Sequence, residues 1–280
     1  MESLVFFGKG GIGKSTICAN LSALYGIGGK RVLHVGCDPK HDSTMAIAPE
    51  GYVRTFMEKF AANEIDTPGG LTLKGRFGID LVEAGGPEPG VGCAGRGISL
   101  MLETFKEHEL IAKGGYDVAL YDILGDVVCG GFATPLRAGF GKKVFIVVSE
   151  ELMSLYAANN IAKAVLHYSP NGVVLGGLVA NLRDSSVDRA PLERFAKLIN
   201  TRILTYIPRD PAIREAEYKR KTVVEHAPKA PATKALAKLS ALAYKLKAGK
   251  LPLPTPLDDR DFYELSFDQF KKVKVKETTP

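Results

Sequence analysis

The chain alternates short apolar runs with segments whose apolar residues recur at helical spacing. Apolar runs of this kind predict strands that are covered on both faces. The predicted strands are Leu4–Phe7, Arg31–Val35, Gly78–Val82, Val118–Tyr121, Lys143–Val148 and Val173–Val179. The predicted helices are Ser15–Leu24, Gly97–His108, Leu152–Tyr168, Ala190–Leu198 and Ala232–Leu246. This alternation predicts an α/β fold with a doubly wound, mostly parallel sheet, whose ligands bind at the carboxyl ends of the strands.

The domain organisation follows from where this alternation stops. Residues 1–249 are predicted to form a single domain. After Gly249 the sequence loses its periodicity and gathers proline and charge. We therefore expect residues 250–280 to form a C-terminal extension that wraps over the surface or is partly mobile.

Composition narrows the class of protein. The chain has 280 residues, of which 45% are hydrophobic and 24% charged, which excludes collagen-like, coiled-coil and wholly disordered proteins. The net charge of +6 is mild for this length and does not indicate a nucleic-acid partner. The sequence shows neither a secretory leader nor an apolar run of the roughly 18 residues that a membrane span needs. We expect a cytoplasmic protein without a membrane partner.

A phosphate-binding loop is the first chemical motif. Gly8–Ser15 reads GKGGIGKS and matches G-x-x-x-x-G-K-[ST] between the first predicted strand and the first predicted helix. Glycines let backbone N–H groups converge on phosphate oxygens, while Lys14 would reach the β- and γ-phosphates and Ser15 would ligate Mg²⁺. The predicted fold is thus of the phosphate-loop NTPase type, with ATP and Mg²⁺ bound by Gly8, Lys9, Gly10, Gly11, Ile12, Gly13, Lys14, Ser15 and Thr16.

Several charged residues surround this loop in the predicted topology. Lys9 is either a solvated surface lysine or a cation that acts on phosphate across a dimer interface, as an arginine finger does. Asp122 ends an apolar strand, as the acidic residue on the Mg²⁺ side of such ATPases does. Asp38 and Asp42 follow the second strand and would orient water or metal; the alternative for all three aspartates is a loop-capping role.

Two cysteines embedded in glycines point to a metal centre. Cys93 and Cys129 have small neighbours, which permit the close backbone approach that an anionic cluster needs. Cys18 and Cys37 are better explained as buried core residues. A [4Fe–4S] cluster takes four thiolates, so two per chain predict a symmetric homodimer with the cluster on its two-fold axis. The alternative is that both cysteines are small buried residues in tight loops.

The motifs together resemble a known family. GKGGIGKST, GCDPKHDST, GGPEPGVGCAGRG and YDILGDVVCGGFA stand in the order and spacing of the nitrogenase iron protein family, over about residues 1–230. The resemblance implies a homodimer that binds MgATP on each subunit and holds one [4Fe–4S] cluster between them. It also implies an ATP-hydrolysing oxidoreductase that passes single electrons to a larger nitrogenase-like catalytic component, with ferredoxin or flavodoxin as the electron donor.

Site residues are also implied by the resemblance. Lys9 would act across the dimer, and Asp38 would serve water activation. Asp122 and Asp126 would link the nucleotide to the cluster ligands. The remaining implied positions are Asp42 in the first switch, Lys40 as a cofactor-binding residue, Cys93 and Cys129 as cluster ligands, the adenine-contacting Asn181, Pro208, Arg209 and Asp210, and Arg96, which matches a reversibly ADP-ribosylated arginine.

The pattern is mixed within the family. His41 resembles the protochlorophyllide-reductase L protein, whereas GGPEPGVGCAGRG resembles the nitrogenase type, and Ser149–Met153 reads SEELM in place of the usual SGEMM. This mixture favours a nitrogenase-like reductase that serves another catalytic component, such as the methylthio-alkane reductase, which cleaves carbon–sulfur bonds. A genuine nitrogenase iron protein is the alternative. A partitioning or cluster-scaffold ATPase is a remoter one.

Overall fold

A computed structural model describes residues 1–65, 68–86, 94–125, 130–131 and 133–264. Within these residues the strands are β1 (Glu2–Gly8), β2 (Val32–Cys37), β3 (Leu73–Lys74), β4 (Asp80–Glu83), β5 (Val118–Ile123), β6 (Lys143–Val148), β7 (Val174–Asn181) and β8 (Ile203–Ile207). They form one sheet in the order β3-β4-β2-β5-β1-β6-β7-β8. The pairs are parallel except for β3, which runs antiparallel to β4. The prediction of a single-domain, mostly parallel α/β fold is confirmed.

Helices cover both faces of this sheet. They are α1 (Lys14–Ile27), α2 (Phe56–Ala61), α3 (Pro68–Leu71), α4 (Ala94–Glu107), α5 (Leu110–Gly114), α6 (Thr134–Arg137), α7 (Leu152–His167), α8 (Ala190–Leu198), α9 (Pro211–Tyr218), α10 (Val223–His226) and α11 (Pro231–Lys245). Short 3₁₀ turns lie at Arg76–Gly78, Ser169–Asn171 and Ala248–Lys250. None of the helices in the described ranges has the length and apolar character needed to cross a bilayer.

Alternate residues of the central strands supply two separate hydrophobic cores. Val5 and Phe7 of β1 point to the core that contains apolar residues of α4 and α7. Leu4 and Phe6 point to the opposite core, beneath α1 and α11, where Phe6 stacks on Phe145 with ring centroids 5.1 Å apart. Burial on both faces explains why these strands read as continuous apolar runs.

The structure adds strands that the hydrophobic pattern does not predict. Each predicted strand is present, with ends shifted by a few residues except in β6, whose bounds agree. The prediction was wrong in omitting β3 and β8. The first has only two residues, and β8 is an edge strand in which Ile203 and Tyr206 are partly exposed, so both give a weak apolar signal.

The chain after residue 250 packs on α7 and α8 as far as it is described. Asn159 of α7 donates from Nδ2 to the Leu257 carbonyl and accepts from the Leu257 N–H at Oδ1, both at 2.8 Å. Phe262 is 3% exposed and packs edge-on against Tyr156 and Phe195. The division of the chain at residue 249 stays a prediction, and residues 265–280 lie outside the described part.

Phe262→Ala should destabilise the fold by about 3–5 kcal/mol, because it removes a buried aromatic ring and leaves a cavity. Urea unfolding followed by circular dichroism would measure the loss. Leu253→Ala is the matched control, since Leu253 is 53% exposed and its truncation should change the free energy of unfolding by no more than about 0.5 kcal/mol. Equal effects of the two substitutions would contradict the packing described here.

Candidate functional site

The phosphate loop joins the end of β1 to the start of α1. Gly11 and Gly13 have φ angles of 73° and 90°, a left-handed conformation that favours glycine. A Cβ on Gly13 would also lie 2.4 Å from Nδ2 of Asn181, so an alanine there would displace this amide as well as strain the backbone. The loop therefore has the backbone shape that the glycine pattern predicts.

Two side chains, from the last residue of β7 and from just after it, hold this loop from outside. Asn181 donates from Nδ2 to the Ile12 carbonyl at 2.7 Å, and Arg183 donates from a guanidinium nitrogen to the Gly11 carbonyl at 2.6 Å. Because these two carbonyls are paired with side chains, the N–H groups of the loop are left to face a phosphate in a cradle of this kind. Sequence analysis did not assign Arg183 a role, since an exposed arginine carries no distinctive signal.

A buried ion pair lies beneath the loop. The Lys14 ammonium contacts Oδ1 of Asp122, and both side chains are almost fully buried. Burial opposes ionisation of Asp122, but the Lys14 charge and hydrogen bonds from Lys14, Ser43 and Ser15 hold its pKa below the usual range. Burial likewise opposes the charge on Lys14, and Asp122 outweighs it and raises the lysine pKa. Both groups are therefore charged at neutral pH.

A cleft of about 630 Å³ opens above the loop and gathers the predicted nucleotide residues. This volume is in the range of small-molecule and cofactor sites. Among its lining residues are Asp38 and all of the predicted cofactor-binding positions except Gly8, namely Lys9, Gly10, Gly11, Ile12, Gly13, Lys14, Ser15, Thr16, Lys40, Asp42, Asn181, Pro208, Arg209 and Asp210. The structure thus places these positions around one cleft.

The far wall of the cleft begins after β8. Asp210 accepts from the Ala212 N–H at the start of α9 and from the Ala232 N–H at the start of α11, both at 3.0 Å. Asp210 is therefore the N-cap of α9, and its carboxylate also accepts from an N–H in the first turn of α11. The Arg209 N–H donates to Oγ of Ser185 at 3.0 Å, so this wall is also joined to the segment that follows β7.

The segment after β2 forms the near wall. Asp38 is 6% exposed and accepts from the Lys40 N–H at 2.9 Å. Burial and the charges of Asp38 and Asp122 raise the pKa of Asp42. The next residue, Ser43, is buried and donates to Oδ2 of Asp122 at 2.6 Å, which joins this segment to β5.

Glu83, at the end of β4, is a buried residue that sequence analysis missed. Its Oε1 accepts from the N–H and the hydroxyl of Thr44 at 2.7 and 2.8 Å. Burial raises its pKa to about 8, which the Thr44 bonds oppose only in part. Its Oε2 has no hydrogen-bond partner within the described residues and lies against Gly36. The signal was an acid that directly follows the predicted strand Gly78–Val82.

The two cysteine-bearing segments approach each other at their described ends. A Cβ on Gly131 would lie 2.2 Å from Cα of Gly95, so these backbones are in direct contact. Each glycine stands two positions after a predicted cluster ligand. The ligands Cys93 and Cys129, and also Asp126, lie outside the described residues. Among those that are described, no group of three His, Cys, Asp or Glu side chains is arranged to hold a metal ion.

The end of β5 reaches the phosphate loop through a second close contact. A Cβ on Gly125 would lie 2.2 Å from the Gly8 carbonyl oxygen and 3.0 Å from the Lys9 nitrogen.

The remaining residues singled out in the sequence differ in exposure. Lys9 and Arg96 are exposed. Cys18 and Cys37 are buried free thiols, as predicted, and burial raises the pKa of each.

The fold and the loop are those of the phosphate-loop NTPases, and solved MinD and ParA structures share this fold. Similar solved structures include the septum site-determining protein MinD of Pyrococcus horikoshii in complex with Mg-ADP, with 22% identity and a TM-score of 0.67 over 86% of this chain and 95% of that one. The Pyrococcus furiosus cell division ATPase MinD has 24% identity and a TM-score of 0.68, over 88% and 100%. A ParA family ATPase from Chlorobium tepidum has 20% identity and a TM-score of 0.67, over 86% and 98%.

The family itself is shown by a sequence match. Residues 2–272 match the model of the 4Fe-4S iron sulfur cluster binding proteins of the NifH/frxC family. The chain belongs to this family. The similarity to the MinD and ParA structures, at less than 25% identity, concerns the fold alone.

Glu83→Gln should change how stability depends on pH. The folded pKa of about 8 lies above the ordinary value of 4.5, so the folded state keeps a proton that the unfolded state releases between these values. Wild-type stability should therefore fall as pH rises from about 4.5 to 8. Because glutamine cannot ionise, the variant should gain about 3–5 kcal/mol relative to wild type across this window.

Chemical denaturation at pH 5 and pH 8.5 would check this expectation. Glu50→Gln, the same change at an exposed carboxylate, is the control and should alter stability by no more than about 0.5 kcal/mol. A difference between wild type and Glu83→Gln that stays constant with pH would contradict the raised pKa.

Proposed function

We propose that this chain is the ATP-dependent reductase component of a nitrogenase-like enzyme. As a homodimer it would couple hydrolysis of MgATP to the transfer of single electrons from a [4Fe–4S] cluster to a larger catalytic partner. One observation carries the proposal: Cys129 lies only seven positions after Asp122 in the sequence. Within this segment Gly125 contacts the phosphate loop, and just after it Gly131 contacts Gly95. Such a short connection can transmit a change at the nucleotide to the cysteine segments.

The described residues of the cleft fit MgATP. The glycine conformations provide a cradle of N–H groups, and the Lys14 ammonium stands beneath it next to Ser15, which would ligate Mg²⁺. A phosphate group in the cradle would compete with Asp122 for Lys14, because both are anions that need the same cation. Nucleotide binding would therefore act directly on the end of β5.

The cluster would be held by Cys93 and Cys129 of each subunit. When bound, it supplies the one-electron donor, which ferredoxin or flavodoxin would reduce and the catalytic partner would oxidise. Helix α4 begins at Ala94, the residue after Cys93, and its N-terminus favours an anionic group nearby. The Gly95–Gly131 contact supports the assignment of Cys93 and Cys129 to the same cluster, since it joins the two segments that carry these cysteines.

Hydrolysis would need the second subunit. Lys9 is exposed at the cleft, and within the described part of the chain it forms no ion pair, so its ammonium is available for phosphate bound to the partner. Asp38 would orient the water that attacks the γ-phosphate, with ADP and inorganic phosphate as products. Asp122 and Asp126 would carry the resulting change toward Cys129.

The catalytic partner is proposed to act on a substrate other than dinitrogen, such as the carbon–sulfur bond of a methylthio-alkane. The mixed motif pattern around His41 and Ser149–Met153 supports this over a genuine nitrogenase iron protein. Co-purification of the partner with its cofactor would decide between them. The absence of iron from anaerobically purified protein would instead favour a partitioning ATPase.

Cys93→Ala or Cys129→Ala should abolish the cluster, because each removes two of the four thiolates in the dimer. Iron analysis and electron paramagnetic resonance of the reduced, anaerobically purified protein would show the loss from a wild-type value of about four irons per dimer. Cys18→Ala, a change at a buried thiol, is the control and should keep near-normal iron. Full occupancy in Cys129→Ala would overturn the ligand assignment.

Lys9→Ala should slow ATP hydrolysis far more than it weakens nucleotide binding. A cation that acts in trans can be worth about 10³–10⁵ in the rate of phosphoryl transfer, whereas Lys14 and the backbone cradle still bind the phosphates. Steady-state hydrolysis and calorimetric binding of a non-hydrolysable ATP analogue would separate the two effects. Lys238→Ala, at an exposed lysine of α11, is the control; wild-type turnover in Lys9→Ala would refute the role.

A further inference from the structure

A chain of buried hydrogen bonds connects α1 to the ion pair beneath the phosphate loop. Oγ of Ser22 lies 2.8 Å from Nδ1 of His34, and Nε2 of His34 lies 2.8 Å from Oγ of Ser43. Ser43 in turn donates to Asp122 at 2.6 Å, and Asp122 contacts Lys14. His34 is fully buried in the middle of β2, where the neighbouring strand residues are apolar.

The ionised state of Asp122 determines the donor and the acceptor of every hydrogen bond in this network. An ionised carboxylate only accepts, so the single hydroxyl proton of Ser43 is directed to it. Ser43 must then accept from His34, which places a proton on Nε2. Burial keeps the ring neutral and lowers its pKa to about 4, with Asp122 opposing this shift and Lys14 adding to it. In a neutral ring Nδ1 is therefore the acceptor, and Ser22 donates to it.

We propose that His34 is a positioning residue of the nucleotide site, which acts through Ser43 to hold the near wall of the cleft against Asp122. The inference rests on the proposed ATP hydrolysis and names a residue outside the cleft on which that reaction depends. His34 does not line the cleft, and its nearest functional groups are reached through Ser43.

Loss of the bond from His34 to Ser43 should matter most when phosphate occupies the cradle. Lys14 then turns to the phosphate, and Asp122 keeps the Ser43 hydroxyl as a buried donor. Without the bond from His34 that hydroxyl is free to rotate, and the segment that carries Asp38 and Asp42 loses an anchor. Binding of the phosphates to the cradle does not use this bond, so the loss should appear in turnover rather than in affinity.

Two substitutions at His34 test the proposal. His34→Gln keeps an amide N–H that can reach Ser43, whereas His34→Leu fills a similar volume without a donor. We expect His34→Leu to lower kcat for ATP by about tenfold, the usual effect of one aligned hydrogen bond to a charged network. The Kd for Mg-ADP should change by less than about threefold in both variants, and His34→Gln should recover most of the turnover. Equal turnover defects in the two variants would overturn the proposal.

A second measurement requires no turnover and no substitution in the observed protein. In wild-type protein labelled with ¹⁵N-histidine, the ring nitrogens of His34 should show the tautomer with the proton on Nε2. The signal can be assigned among the five histidines by its loss in His34→Gln. A proton on Nδ1 would overturn the proposal. Should wild-type protein lack ATPase activity, the proposed function fails, whereas the tautomer and the Mg-ADP affinities still test the arrangement around Ser43.

Discussion

The ion pair between Lys14 and Asp122 is the interaction on which the site depends. Two opposite charges in an apolar interior are stable only when they are paired and when their remaining hydrogen-bonding capacity is satisfied. The surrounding chain meets this requirement with Ser15 and Ser43 at the carboxylate. As a result the loop after β1, the end of β5 and the segment after β2 meet at one point. A ligand that attracts Lys14 would disturb all three together.

The segment after β2 is held from both sides of its own strand. In the sheet β2 lies between β4 and β5. Ser43 is bonded to Asp122 of β5, and the adjacent Thr44 is bonded to Glu83 of β4. One anchor is a charged carboxylate and the other a carboxyl group that burial favours in its protonated form. The near wall of the cleft therefore has two attachments of different electrostatic character, and a change of charge at either side affects the same two residues.

Much of the cleft was predictable because phosphate chemistry imposes local sequence. Glycines at Gly11 and Gly13 are required by backbone conformation, and a lysine followed by a hydroxyl must stand at the start of the helix. His34, Glu83 and Arg183 could not be predicted in this way, because their roles arise from contacts between distant strands. A polar residue in the apolar run RVLHV marks a position that needs a partner, but the sequence does not say which. Similarly, β8 becomes a strand through pairing with β7 rather than through its own pattern.

The bonding of two helices to Asp210 has a consequence for how the walls of the cleft are held. Because the first turns of α9 and α11 donate to the same carboxylate, neither can tilt away from the other without leaving backbone N–H groups unpaired. Helix α11 also packs on α1, the helix that starts at the phosphate loop. The far wall of the cleft and the phosphate loop are thus held together through α9, α11 and α1. The near wall, the seven residues Asp38–Thr44, is attached separately, through Ser43 to β5 and through Thr44 to β4, so the two walls of the cleft are fixed to different elements of the fold.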